Sequence, residues 1–139
     1  MKKMFISIVL VLISSTSFAT QPNKQLTPGA LCTPSDPDFT GYRYATHVAY
    51  CKRNVTYQEK LQIAQAYGVP EADWKNYEFD HLIPLNAGGT SRPENLWPQP
   101  IVEAHEKDKI EQQTFDGLSN GTLTQDQAIK MIWDWIDQH

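Results

Sequence analysis

The sequence predicts a small α+β domain in which a helix, a β-hairpin and two further helices follow one another along the chain. Three observations predict it. A capping sequence begins at Thr56, an apolar run is broken by Pro84 and the Gly88-Gly89 pair, and apolar residues recur at helical spacing near the end of the chain. A chain of 139 residues is long enough for a single domain with a modest core.

The first helix is predicted from the residues at its two ends. Thr56 and Glu59 have the Thr-x-x-Glu spacing of a capping box, in which each side chain accepts a hydrogen bond from the other residue's backbone. Gly68, followed by Pro70, indicates that the helix ends at Tyr67. We expect this helix to have a structural role.

The β-hairpin is predicted within residues 76–100, NYEFDHLIPLNAGGTSRPENLWPQP. The apolar, aromatic run that begins at Tyr77 is typical of a short strand, and Pro84 ends it. Gly88-Gly89 gives the backbone the freedom to reverse its direction. The stretch ENLWP is too short and too proline-bound for a central strand, but it suits the returning strand of a hairpin.

Two helices are predicted after the hairpin. The first covers residues 101–117 and ends at Gly117, and Thr124 is the N-cap of the second. The second helix has apolar residues at helical spacing, namely Ile129, Ile132, Trp133 and Ile136. Three tryptophans are expected in the core rather than on a base-stacking surface: Trp97, Trp133 and Trp135.

Residues 1–19 are predicted to be a secretory signal peptide. Lysines precede an apolar run, and small residues at Ser17 and Ala19 indicate cleavage after Ala19. The alternative is a retained membrane anchor, but the apolar run is short for a membrane span. We therefore expect the mature chain in the periplasm or outside the cell, without a membrane segment.

The mature chain is predicted to have two parts. Residues 20–55 are an irregular N-terminal arm, and residues 56–139 are the folded domain, with its core at 76–116. Pro, Thr, Ser and Asn dominate the arm up to Asp38, whereas residues 42–55 have the aromatic and β-branched composition of an extended strand.

The two cysteines are Cys32 and Cys51. In an exported chain an even number of cysteines predicts a disulfide, which here pins the irregular stretch up to Asp38 through Cys32. A metal site is the alternative interpretation, but the sequence has neither a CxxC pair nor a histidine at ligand spacing beside them.

The charge of the chain argues against one class of protein. The whole sequence has 12 basic and 16 acidic residues, and loss of the signal peptide removes two lysines, so the net charge of −4 becomes 10 − 16 = −6. A protein that coats nucleic acid by bulk electrostatics is positively charged. An enzyme that contacts a few phosphates and recruits a cation is compatible with this charge.

Asp80 and His81 are adjacent ionisable residues at the end of the predicted strand. Neighbouring strand residues point to opposite faces, so both reach one site only if the strand twists or breaks there, as Pro84 and Gly88-Gly89 predict. A neutral imidazole accepts a proton from water near pH 7, and a carboxylate binds a cation that stabilises charge on a phosphate. The pair therefore offers two groups that phosphodiester hydrolysis needs, a proton acceptor and a metal ligand.

Asn95 and His105 extend this group of residues. Asn95 lies across the predicted turn, where its amide can hydrogen-bond the loop backbone or the imidazole. His105, on the following helix, is either a second metal ligand that faces Asp80 or an ordinary exposed helical residue. In the second case Asp80 and water molecules hold the ion, with Lys107 or Asp108 as helpers.

With Asp-His, Asn and His in this order on strand, loop, strand and helix, the chain resembles the HNH endonucleases of the ββα-metal superfamily. The likeness is strongest over residues 77–100, which are similar to exported bacterial and phage members with the motif DH…GG…NLWPQP. It extends more weakly to CKRNV, YGVP and AHEKD, and so covers most of the mature chain. The resemblance implies a ββα-metal hairpin-helix core flanked by additional helices.

The resemblance also implies residue roles. His81 is the general base, Asp80 is the metal-ligating acid and Asn95 braces the loop. Relatives often lack a histidine at the helix position of His105, and their more regular feature is a Lys-Asp pair, here Lys107-Asp108.

Cofactor and substrate contacts follow from the same residues. An Asp80 and His105 ligand set with open positions suits Mg²⁺ or Mn²⁺, and Zn²⁺ is an alternative. Three residues are candidate phosphate contacts: Arg92, Arg53 and Lys107. Ordinary solvated charge is the alternative interpretation, above all for the Lys52-Arg53 pair.

The sequence thus predicts an exported, metal-dependent endonuclease that hydrolyses DNA, or alternatively RNA, with little sequence preference. A nuclease-like module that binds nucleic acid or a cell-envelope partner without catalysis is the main alternative, and the acidic charge favours it. A hydrolase of another envelope phosphodiester would share the mechanism. The sequence does not predict an oligomeric state.

Overall fold

The computed structural model describes residues 21–139, and the predicted signal peptide lies outside the described residues. The fold class is confirmed, because helices and short antiparallel strands form one small α+β domain. The strands are β1 (Phe39–Arg43), β2 (Val48–Cys51), β3 (Tyr77–His81) and β4 (Leu96–Pro100), and the helices are α1 (Tyr57–Tyr67), α2 (Ile101–Asn120) and α3 (Gln125–Ile136). Within residues 21–139, the helices are all too short or too polar to cross a membrane.

Helix α1 begins and ends where the sequence predicts. The Thr56 hydroxyl accepts a hydrogen bond from the Glu59 N–H at 3.2 Å, and the Glu59 carboxylate accepts one from the Thr56 N–H at 2.6 Å. Gly68, with a φ of 69°, ends the helix in the left-handed conformation. These contacts satisfy backbone groups that the helix ends would otherwise leave unpaired.

Helix α2 is longer than the sequence predicts. It continues to Asn120 and is ended by the left-handed Gly121, so the predicted end at Gly117 is wrong. Gly117 lies inside the helix, at the point where Leu123 packs against it, and a Cβ there would overlap the Leu123 side chain. Thr124 then caps α3 as predicted, through a capping box with Gln127.

The N-terminal segment contains a hairpin where the sequence predicts one strand. Strands β1 and β2 pair antiparallel, and the turn between them contains Tyr44 and His47, with φ values of 63° and 55°. Non-glycine residues seldom adopt such angles, and turns that need them usually contain glycine or asparagine. This turn has neither residue, so the sequence carries no signal for it. Val48 of β2 belongs to the same buried cluster as Leu82 and Ile132, which shows that this segment packs against the domain.

The predicted disulfide between Cys32 and Cys51 is confirmed, and both residues are buried. Asp36 lies close enough to both sulfurs to suggest a three-ligand metal group. The two sulfurs are bonded to each other, however, so they offer no thiolates to an ion. Asp36 instead accepts hydrogen bonds from Thr33 and Arg92.

We expect loss of the disulfide to lower the free energy of unfolding by about 3 kcal/mol, because the bond constrains the unfolded chain. Urea denaturation of the Cys32→Ala/Cys51→Ala double variant measures this change. Reduced wild-type protein is the matched control and should unfold at a similarly lowered urea concentration. Identical unfolding of oxidised and reduced wild-type protein would contradict the prediction.

The β3–β4 hairpin lies between the helices and positions the residues of the candidate site. Its register pairs Tyr77 with Pro100 and His81 with Leu96, so the predicted returning strand is confirmed from Leu96 onward, whereas Glu94 and Asn95 of ENLWP lie in a short 3-10 turn before it. Phe79 and Leu96 pack in a cluster with Ile63 and Ala64 of α1, while Trp97 packs in the main core with residues of α2 and α3. The hairpin therefore packs between α1 and the main core, and this packing positions the end of β3.

Candidate active site

Asp80 and His81 line the same cleft, which has a volume of about 260 Å³. Glu111 of α2 also lines it, and Arg43 and Arg53 contribute from the N-terminal segment. The side chains therefore converge at the end of β3, where the sequence predicts that the strand breaks. The cleft brings a histidine, two carboxylates and two guanidinium groups together.

Asn95 braces the loop that follows β3. Its Oδ1 accepts a hydrogen bond from the Ile83 N–H at 2.9 Å, and its Nδ2 donates to the carbonyl oxygens of Ile83 and Thr90 at 2.9 and 2.8 Å. Gly89 is required nearby, because a Cβ there would overlap the Ile83 carbonyl. Of the two predicted roles, Asn95 therefore has the backbone one: it positions the loop and does not contact the imidazole.

A hydrogen-bond network fixes the orientation of His81, which is only 3% exposed. Its Nε2 lies 3.0 Å from the Ser91 Oγ, which accepts the Asn54 N–H at 3.0 Å and lies 3.4 Å from the Lys52 carbonyl oxygen. The Ser91 proton has two acceptors within reach, Nε2 of the ring and the more distant Lys52 carbonyl oxygen, so Nε2 carries a proton in the tautomer in which Ser91 donates to Lys52. In that tautomer Nδ1, which has no hydrogen-bond partner within residues 21–139, is free to accept a proton.

The surroundings of His81 keep the imidazole neutral. Burial lowers the pKa of His81 from 6.5 to about 4, and the positive charges of Arg53 and Lys107 act in the same direction, while Asp80 opposes them. The ring is therefore uncharged at pH 7, as proton acceptance requires.

Lys107 lies at the centre of the site and is completely buried. Its Nζ donates to Asp80 Oδ2 and Glu111 Oε1, both at 2.7 Å, and to the His81 carbonyl oxygen at 2.6 Å. Burial disfavours the ammonium, but the charges of Asp80 and Glu111 outweigh it and raise the pKa of Lys107. This corrects the prediction of a phosphate contact, because all three ammonium protons are used inside the protein.

The structure does not bring His105 to Asp80. His105 is exposed and precedes Lys107 by two residues, which turns it about 200° around the helix. Asp108 is also exposed. Glu111, four residues after Lys107 and on the same helix face, occupies the place predicted for the second ligand.

The candidate phosphate contacts on the N-terminal side differ from one another. Arg92 donates to Asp36 at 2.8 Å and to the Leu31 carbonyl oxygen at 3.1 Å, so it fastens the N-terminal segment and is not part of the cleft lining. Arg53 does line the cleft, where its Nη2 donates to the Phe79 carbonyl oxygen at 3.0 Å. Of the two arginines, only Arg53 is placed to contact a phosphate beside His81.

Three site residues were not predicted: Glu111, Ser91 and Arg43. Glu111 had a sequence signal, since it follows Lys107 at the spacing that puts two side chains on one helix face. Arg43 lies against the Tyr50 ring, with its Cζ 3.2 Å from the ring centroid, and reaches the cleft only through the β1–β2 hairpin.

The donor groups fit a divalent cation bound largely through water. The Asp80 and Glu111 side chains are 16% and 24% exposed, and each gives one oxygen to Lys107. In the described part of the chain, their other carboxylate oxygens have no hydrogen-bond partner. Mg²⁺ and Mn²⁺ favour one or two carboxylates together with several water molecules, so these two oxygens suit them better than Zn²⁺.

No family model matches the chain, and neither a curated protein nor a solved structure matches it. The resemblance to the HNH endonucleases thus rests on the hairpin motif and on the order of Asp80, His81 and Asn95 around it.

Proposed function

We propose that the mature chain is an exported, metal-dependent endonuclease that hydrolyses phosphodiester bonds of DNA or RNA with little sequence preference. The unpaired Nδ1 of His81 in a cleft with two carboxylates and two arginines is the observation that supports it. The arginines suit an anionic substrate, the carboxylates suit a cation, and the imidazole suits proton transfer from water.

Each residue has a distinct task in this mechanism. Arg53 and Arg43 bind and orient the phosphate, while Nδ1 of His81 accepts the proton of the attacking water. Ser91 holds the imidazole through Nε2. A divalent ion on Asp80 and Glu111 would supply positive charge to the phosphate and the leaving oxygen.

A non-catalytic module that binds nucleic acid is the second candidate. The buried ammonium of Lys107 favours it, because this group already neutralises part of the charge on Asp80 and Glu111 without any metal. A plasmid-nicking assay with purified mature protein separates the two candidates. We expect nicking with Mg²⁺ or Mn²⁺ and none with EDTA, whereas a gel shift without nicking would support the binding module.

Metal affinity tests the assignment of the ligands. We expect Asp80→Asn and Glu111→Gln each to weaken Mn²⁺ binding roughly tenfold or more. Even a residue that only hydrogen-bonds to a metal ligand typically contributes roughly 10- to 100-fold to metal affinity. His105→Ala is the matched control and should bind Mn²⁺ as the wild type does. Titration calorimetry measures the three affinities, and a loss confined to His105→Ala would contradict the assignment.

The pH dependence of cleavage tests the role of His81. Protonated His81 cannot accept a proton, so kcat/KM should fall on acidification only near pH 4, the approximate pKa of this buried ring. A bound phosphate brings negative charge, which raises the pKa of His81, so the acid limb of kcat should lie at a higher pH. Coincident limbs near pH 6.5 would contradict this prediction.

A further inference from the structure

A second and larger groove adjoins the cleft. It has a volume of about 760 Å³, and Arg53 lines both the groove and the cleft. We call it the aromatic groove and define it by three aromatic and three basic residues: Tyr57, Trp74, Tyr77, Arg53, Lys60 and Lys75. None of these residues except Arg53 has a task in the proposed hydrolysis.

The aromatic groove contains a series of rings in fixed contact. Tyr57 is 53% exposed, and its ring centroid lies 5.7 Å from that of Trp74. Trp74 in turn meets the buried Phe79 edge to face at 4.9 Å. The Tyr57 hydroxyl donates to Glu71 at 2.7 Å, which holds the exposed ring in place. The outermost ring of the series is thus presented to the groove and already oriented.

The charge of the aromatic groove is opposite to that of the chain. Arg53, Lys60 and Lys75 face one acidic lining residue, Glu78, so the lining carries 3 − 1 = +2 charges, whereas the chain carries −4. Beyond the lining, Glu71 accepts the hydrogen bond of the Tyr57 hydroxyl and keeps its negative charge, and the charge of Asp73 acts on Tyr77. The positive charge is therefore confined to the lining itself, where the three cations favour an anionic ligand.

We propose that the aromatic groove binds an unpaired stretch of nucleic acid that continues from the scissile phosphate in the cleft. A base stacks on Tyr57, backbone phosphates contact Lys60 and Lys75, and Arg53 joins the two sites. The ligand is unpaired because the faces of bases in a duplex are covered by their neighbours, whereas a single strand offers them to aromatic rings. The continuation into the cleft rests on the proposed nuclease function.

Fluorescence anisotropy with a dye-labelled thymidine oligonucleotide of about 12 nucleotides tests this proposal, since single-strand sites span roughly 4 to 16. EDTA prevents turnover during the measurement. We expect the wild type to bind this strand more tightly than its duplex. Tyr57→Ala should weaken binding roughly 5- to 100-fold, while Tyr57→Phe, which keeps the ring but loses the hydrogen bond to Glu71, should bind with an affinity between those of the wild type and Tyr57→Ala.

The lysines are tested by the salt dependence of the same binding. Lys60→Gln and Lys75→Gln should each reduce the slope of log K against log salt by roughly 0.7, the value for one phosphate contact on a single strand. Lys130→Gln is the matched control, because Lys130 is exposed on α3 and pairs with Asp134 outside the groove lining. Its slope should equal that of the wild type.

Three results would overturn the proposal: wild-type affinity in Tyr57→Ala, unchanged slopes in both lysine variants, or tighter binding of the duplex. Plasmid nicking, measured separately, distinguishes this failure from that of the nuclease. If the protein nicks plasmid DNA and the groove variants bind the oligonucleotide as the wild type does, the groove proposal fails and the nuclease proposal stands. Oligonucleotide binding that depends on Tyr57, Lys60 and Lys75 in a protein that never cleaves supports the groove and refutes the nuclease.

Discussion

Replacement of His81 by alanine is expected to lower turnover on DNA by roughly 10²- to 10⁴-fold, the usual contribution of a positioned general base. In the proposed mechanism, His81 Nδ1 accepts the proton of the attacking water, while Ser91 holds the opposite nitrogen. Mn²⁺ affinity should change little, because the carboxylates of Asp80 and Glu111 are held by Lys107 and not by the imidazole.

The measurement is kcat at saturating Mg²⁺ for wild type and variant across the pH range, together with Mn²⁺ titration of both proteins. His105→Ala is the matched control, since this exposed histidine lies on another face of α2 and should leave turnover unchanged. If His81→Ala cleaves at the wild-type rate with the same acid limb, His81 has no part in the mechanism. The binding module would then be the better interpretation.

The elements that could be predicted from the sequence are those with local signals. The N-caps at Thr56 and Thr124 each lie within a few residues, the hairpin motif is continuous over residues 77–100, and the structure has all three. The end of α2 could not be predicted, because Gly117 is typical of a helix end and only the packing of Leu123 explains why the helix continues there. The β1–β2 turn lacked a signal for a similar reason, since its strained angles fall on Tyr44 and His47.

The residues of the candidate site likewise fall into those that the sequence could predict and those that it could not. Asp80, His81 and Asn95 could be predicted together because one hairpin holds them. The residues that α2 contributes depend on how that helix is rotated against the hairpin, and a single residue changes this rotation by about 100°. The sequence could therefore predict that α2 contributes to the site but not which face of α2 does so. In the structure, Lys107 and Glu111 occupy the position predicted for His105.

Replacement of Lys107 by methionine is expected to lower the free energy of unfolding by about 3–5 kcal/mol, the usual cost of removing one partner from a buried ion pair. Methionine retains much of the length of the side chain but none of its three hydrogen bonds. Asp80 and Glu111 are then left as like charges that share a partly buried site, and the His81 carbonyl loses its donor. Urea denaturation in EDTA measures the loss.

Lys109→Met is the matched control, because Lys109 is exposed two residues further along α2 and, among the residues that the structure describes, pairs only with Glu106. Its stability should lie within about 0.5 kcal/mol of the wild type, as for most surface substitutions. Stability of Lys107→Met equal to that of Lys109→Met would contradict the central role assigned to the buried ammonium.

Added divalent metal and a lower pH should both reduce the loss of unfolding free energy in Lys107→Met. A divalent ion that binds Asp80 and Glu111 in the folded state replaces the missing positive charge, so Mn²⁺ should stabilise the variant more than the wild type. Burial raises the pKa of Glu111, and loss of the ammonium removes a charge that opposes this shift. The folded variant then binds a proton at Glu111 more readily than the unfolded chain, so the stability that the variant has lost should be partly regained as pH falls through this raised pKa. A deficit that is independent of both Mn²⁺ and pH would show that lost packing, and not exposed negative charge, destabilises the variant.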